Sequence, residues 1–280
     1  MKRFLIGLSC ALLSVAALAT GPTALRKRMQ ASMLLTGTIV VAPDGSVRSY
    51  AIDHAEKVPP DVSSLVERNV WQWKFAPVLL NGTPVAAQAK MSFRIVAKPV
   101  GDDRFSIGIS GAQFGQSLPG ESISIREMSR PVYPAVAANA RVEGTVYLLL
   151  RVGRQGEVQD VVAEQVNMGV LDNERQLERW RPVLAKVAVQ AARKWTFNVP
   201  ASGSAADEDN WYVRVPVRFG IGPFTVDDYA QWEAYIPGPR QPIPWFDEGQ
   251  QVSVSADASP DGAINQPDRG LNLLTPLDGA

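Results

Sequence analysis

The same order of local signals occurs twice along this chain, and that repetition limits what the chain can fold into. In the first half, Gly37-Thr-Ile-Val-Val41 has the β-branched content of a strand, Pro43-Asp-Gly45 is a turn, and Ser46 to Ile52 alternates apolar and polar residues. An Asp-Gly pair between two such runs predicts a hairpin. Pro59-Pro-Asp61 then starts a helix in which Val62, Leu65, Val66, Val70 and Trp73 recur at three- and four-residue steps and share one face. Lys74-Phe-Ala-Pro77 ends the helix, Asn81-Gly82 makes a further turn, and Val85 to Val96 returns as a strand.

The second half has the same punctuation. Gly144 to Val152 reads as a strand, Arg154-Gln-Gly156 as a turn, and Glu157 to Val166 as a second strand. Leu171-Asp172 introduces a helical stretch with Leu177, Trp180, Val183, Leu184, Val187, Ala188, Ala191 and Trp195 in phase, and Pro182 is expected to divide it by starting a second helix. In the returning strand, Trp211, Val213, Val215, Val217 and Phe219 share one face, and Tyr212, Arg214 and Arg218 the other. This predicts one packed side and one wet side. In both halves Gly-Thr is expected to open the first strand and Trp-x-Phe to close the helix, so the chain reads as an internal duplication with a longer second copy. Trp73 and Trp195 fit as core anchors.

Flanking segments complete the organisation. Lys2 and Arg3, an uncharged apolar run from Phe4 to Ala19, and Ala17-Leu-Ala19 before Thr20 form the pattern of a secretory signal peptide cleaved after Ala19. That run is shorter than the roughly twenty residues of a membrane-spanning helix. Residues 20–30 form a basic lead, 31–97 the first module and 98–128 a Gly- and Ser-rich connector, in which Arg104 to Ser110 alternates like a further strand. Residues 129–221 form the second module. From Gly222 onward the chain carries eight prolines and nine acidic residues against Arg240 and Arg269, and this 222–280 tail reads as disordered. Its clusters Trp232-Glu-Ala-Tyr235 and Pro244-Trp-Phe246 keep a docking role open.

The side-chain inventory points away from catalysis. His54 is the single histidine, in a polar segment read as a solvated loop, and the one cysteine, Cys10, lies within the signal. Zinc and copper sites draw on those residue types, so no metal or other cofactor is expected. Glu143, Glu157 and Asp160 are spread one per strand or turn, with no apolar cluster to raise a pKa, and read as solvated charges.

The second module resembles the TonB C-terminal domain family. The likeness is carried, from about Arg130 to Ile221, by Pro131-x-Tyr-Pro, Ala135-x-Ala-x-x-Ala-x-Val-Glu-Gly144, Val146, Gly156-x-Val158, Leu171-Asp172, Trp195-x-Phe197 and Val215-Pro-Val-x-Phe219. The first module is similar more loosely, through Gly37, Asp44-Gly45, Trp73-x-Phe75-x-Pro77 and Gly82-x-Pro-Val85, and it lacks a Tyr-Pro motif.

The resemblance implies an α+β fold of two tandem modules, each a three-stranded antiparallel sheet with a helix on one face, and a free edge at the returning strand. In the family that edge takes up a short peptide, the TonB box of an outer-membrane transporter, by strand addition. Carried over, the partner-binding residues are Tyr133, Pro134, Tyr212, Arg214 and Arg218. Tyr133 also fits packing against a helix end, and the two arginines fit a solvent face. Pro216 has no N–H to give a ladder, which suits an edge.

The expected protein is therefore a non-enzymatic periplasmic binding module with a protein or peptide partner, a homodimer by edge pairing being a further option. No nucleic acid is expected, and no membrane span once the signal is removed. Three alternatives remain: an energy transducer held in the inner membrane by an uncleaved N-terminus, an enzyme dependent on His54, and a scaffold whose modules space the tail.

Overall fold

The computed structural model describes residues 27–101, 104–115, 120–169, 173–203, 205–221, 229–246, 256–266 and 270–277. The signal segment, Cys10 and Leu171-Asp172 lie outside these residues.

The first half begins with β1 (Gln30–Val41) and β2 (Val47–Ile52), followed by α1 (Pro60–Val70) and a short hairpin of β3 (Val78–Leu80) and β4 (Thr83–Val85). β5 (Ala87–Gly101) and β6 (Arg104–Gly115) complete it, all the sheet pairings being antiparallel, with β2 on one side of β1, β5 on the other and β6 beyond β5. The strand read at Arg104 to Ser110 thus continues to Gly115. The described residues between 98 and 128 are mainly strand, since they include the end of β5, β6 and β7 (Ser124–Glu127).

The second half has the short helix α2 (Ala135–Asn139), the hairpin of β8 (Gly144–Gly153) and β9 (Val158–Met168), α3 (Glu174–Ala192), β10 (Thr196–Asn198) and β11 (Asn210–Phe219). Its sheet runs β11, β8, β9, all antiparallel, the same order as β5, β1, β2. The hairpin, helix and returning strand thus occur in the same order in both halves, but the first sheet has five strands where three were expected, because β6 and a strand from the tail add to it.

One contact shows why both hairpins turn on glycine. Gly45 (φ +80°) and Gly156 (φ +82°) occupy the left-handed region, and a Cβ on either would lie 2.0 or 1.9 Å from the carbonyl oxygen of Phe75 or Phe197. Each of those phenylalanines donates its N–H to its glycine's carbonyl at 2.8 Å. The turn therefore locks onto the Trp-x-Phe segment, and only a residue without a side chain permits that approach.

The cores are separate. In the first, Trp73 meets Phe75, Phe93 and Phe114 edge-on amid Val62, Val66 and Val70 of α1. In the second, Leu177, Trp180, Leu184, Ala188 and Ala192 of α3 cover Val146, Leu148, Val213 and Val215, and the buried Trp195 donates its indole N–H to Ser129 O at 2.8 Å. Both tryptophans are core anchors.

Three expectations are corrected. Gly37 does not open its strand: Ala31 to Thr36 already pair with β5, so Gly37 stands within β1, where Ala51 O lies 2.1 Å from the position of a Cβ. Pro182 does not divide α3. Pro182 and Glu178, the residue whose carbonyl it deprives of a partner, are both exposed, while the buried stripe runs on along the other face.

The third correction concerns the tail, whose described residues bind both halves. β12 (Glu233–Tyr235) pairs with Gln30 to Ser32, and the next residue, Ile236, pairs with Met168 at the edge of β9. Further on, Ala76 N–H donates to Asn272 O and Leu274 N–H to Lys74 O. Proline-rich, acidic composition fails to build a core of its own, but it does not prevent backbone groups from completing a sheet already formed.

Candidate partner-binding edge

β11 is the terminal strand of its sheet. In an antiparallel ladder, successive residues direct their backbone groups to opposite sides. Arg214 and Arg218 direct theirs away from β8, as their bonds to the tail show: Arg214 N–H donates to Asn265 O at 2.7 Å, Asn265 N–H donates back to Arg214 O at 2.9 Å, and Arg218 N–H donates to Asp261 Oδ1 at 2.7 Å. By the same alternation Pro216 is outward, so its missing N–H costs the β8 ladder nothing, and its carbonyl accepts from Gly262 N–H at 2.8 Å. The edge placement read from Pro216 holds. The edge itself is not empty, because residues 261–265 of the tail lie along it.

The side chains of Tyr212 and Arg214 lie on the face opposite α3, as the alternation indicates, but that face is not wet. The tail folds over it, with Ile243 and Phe246 packed on Leu149 beside Val162 and Trp245. Tyr212 stacks on Trp245 at 6.0 Å, meets Phe246 edge-on at 5.0 Å, and donates its hydroxyl to Trp245 O at 3.3 Å.

Arg214 corrects the solvent-face reading. It is 4% exposed and forms a two-pronged pair with the fully buried Glu164, Nε to Oε2 at 2.9 Å and Nη2 to Oε1 at 3.1 Å, with the Phe246 ring 5.3 Å from its guanidinium carbon. The fork geometry compensates two charges removed from water. Glu164 was missed in the sequence, where alternation sets it on one side with Val166 of the second core; the register shift that places Gln165 opposite Tyr147 and Ala163 opposite Leu148 separates the two. Arg218 remains partly exposed and pairs with Glu233 of the tail at 3.1 Å.

Tyr133 and Pro134 lie apart from these three side chains. Pro134 caps α2, as its fixed φ favours. Tyr133 is half-buried, with its hydroxyl donating to Val142 O and its ring 5.7 Å from Phe219 on the packed face. Packing against the start of the module accounts for Tyr133, and the two do not join Tyr212, Arg214 and Arg218 in one surface.

Glu143, Glu157 and Asp160 each hold a separate partner. Asp160 pairs with Arg151, Glu157 accepts from Gln155 N–H and the Gln159 amide, and Glu143 accepts from Ile221 N–H. Burial pushes the Tyr147 hydroxyl up to about 12. His54 is exposed and lies beside the Tyr229 ring at 5.3 Å. Among the described residues, no cluster of three His, Cys, Asp or Glu side chains could hold a metal ion, and no helix is long and apolar enough to cross a membrane.

Two curated relatives match part of the chain. Both are named Protein TonB, from Xanthomonas campestris pv. campestris strains B100 and ATCC 33913, and each is 36% identical over 99 residues. The match takes in 35% of this chain and 38% of each relative, so the chain spans well under half of their length. Over that stretch the chain is TonB-like. No family model matches it, and no solved structure does.

Proposed function

We propose that this chain is a secreted, non-enzymatic TonB-like protein of the cell envelope that binds a peptide or protein partner by strand addition at the β11 edge, in connection with TonB-dependent outer-membrane transport. The observation that carries this reading is the exchange of backbone hydrogen bonds between Arg214 and Asn265. It means that β11 presents outward N–H and C=O groups at the spacing an added strand requires. The similarity to Protein TonB over 99 residues supports a partner at the outer membrane. Backbone pairing gives affinity, while the partly exposed Arg218 at one end of the edge gives preference for an acidic neighbour.

The reading is tested by placing a photo-crosslinking amino acid at Arg218 of the full chain in its own host. The expected product is an adduct to a periplasm-facing segment of an outer-membrane transporter, on a protein that begins at Thr20 by intact mass. Adducts confined to the chain's own tail contradict partner binding. A membrane-bound species retaining Met1 contradicts secretion and returns the anchored transducer.

A further inference from the structure

The segment along β11 is attached to the same chain, and its fit is imperfect. Asn265 is 1% exposed, yet neither its Oδ1 nor its Nδ2 has a hydrogen-bonding partner among the described residues, and Gln266 Nε2 is in the same condition. Burying an amide without partners costs free energy that an apolar side chain of the same outline does not cost. Asparagine is also among the residues that strands disfavour. The neighbouring contacts are regular: Ile264 packs on the second core, Gln266 Oε1 accepts from Ile123 N–H at 3.0 Å, and Asp261 accepts from Arg218 N–H. The unpaired amide of Asn265, with Gln266 Nε2 beside it, therefore weakens a seat whose other contacts are well made.

We infer that residues 261–266 are a built-in competitor for the β11 edge, seated weakly through Asn265 so that an incoming strand displaces them. The inference rests on the strand-addition reading above and adds its regulation. Because the segment is tethered, it meets the edge at a high effective concentration, and without a penalty it would exclude a partner supplied from outside. The unpaired amide offsets that advantage. Displacement moves Asn265 into water, where its amide is satisfied, and leaves Arg214, Pro216 and Arg218 to pair with the new strand.

Two substitutions move the competitor in opposite directions. Gly262 has φ +69° and donates to Pro216 O, so Gly262→Pro removes the donor and forbids the backbone conformation. Asn265→Leu keeps the branched outline and removes the unpaired amide. The probe is a labelled synthetic peptide of residues 259–266 carrying Asn265→Leu, titrated to millimolar concentration against the otherwise complete chain as wild type, Gly262→Pro and Asn265→Leu.

The expected result is binding about tenfold tighter to Gly262→Pro and about tenfold weaker to Asn265→Leu than to wild type, each equivalent to ~1.4 kcal/mol. Equal affinity for all three overturns the competitor while leaving strand addition intact. Absence of binding to any of them overturns strand addition and the competitor with it. Because the two variants act in opposite directions, poor folding of one does not imitate the expected pattern.

Discussion

The returning strand β5 pairs with β6 along a register from Lys90 to Gly101, whereas β11 meets, among the described residues, one bridging residue, Asn265, on the corresponding side. The two strands hold the same place in sheets of the same order, so the difference lies in what was added afterward. β6 follows β5 within a few residues, and closing so short a connection costs little chain entropy. Asn265 is reached only after a long excursion, and the cost rises with length. One edge is sealed by a neighbour in sequence, the other by a distant segment with an unpaired amide. The same core can thus serve as a closed support or as a surface held in reserve.

The outer faces differ in the same sense. Thr38 and Leu149 stand at equal distances along the chain from the hairpin glycines, and they pair with Lys90 and Arg214 respectively. Lys90 is exposed, while Arg214 is buried beneath Phe246 against Glu164. The largest expected effect follows from this contrast. Arg214→Ala leaves the Glu164 carboxylate buried without its partner and lowers stability by about 3–5 kcal/mol, whereas Lys90→Ala stays within about 0.5 kcal/mol. Denaturant titration of both variants checks the difference, and equal effects would break it.

A smaller effect sharpens what the two halves share. Gly45→Ala and Gly156→Ala each place a methyl group against a phenylalanine carbonyl oxygen at positive φ, at a cost of roughly 2–3 kcal/mol apiece. Thermal unfolding of the two variants should show similar losses. A large loss at one and none at the other would mean that the hairpins are not locked alike.

What was legible in the sequence is what local chemistry decides. The Asp-Gly turn, the apolar steps from Val62 to Val70, where the helix ends three residues short of the expected Trp73, the alternation from Trp211 to Phe219 and the edge position of Pro216 each depend on near neighbours. The tail was not legible, because its acidic, proline-rich composition describes what it cannot build alone and says nothing of the sheets it can complete. That also misplaced Arg214, whose polar side of the strand is buried by Phe246 from a distant part of the chain. Gly37 misled because glycine more often starts or ends a strand than stands within one, and here the close approach of Ala51 O requires it. Pro182 misled because its exposure, which makes it tolerable within α3, is a property of the fold.

The most direct test of the account is amide hydrogen exchange of the full chain, comparing Arg214 and Arg218 with the β5 amides that bond to β6. The account predicts that the two arginine amides exchange faster by on the order of a hundredfold, through local release of residues 261–265 without unfolding of either core. Protection of Arg214 and Arg218 equal to that of β5 would contradict it, because the β11 edge would then be as permanently closed as its counterpart.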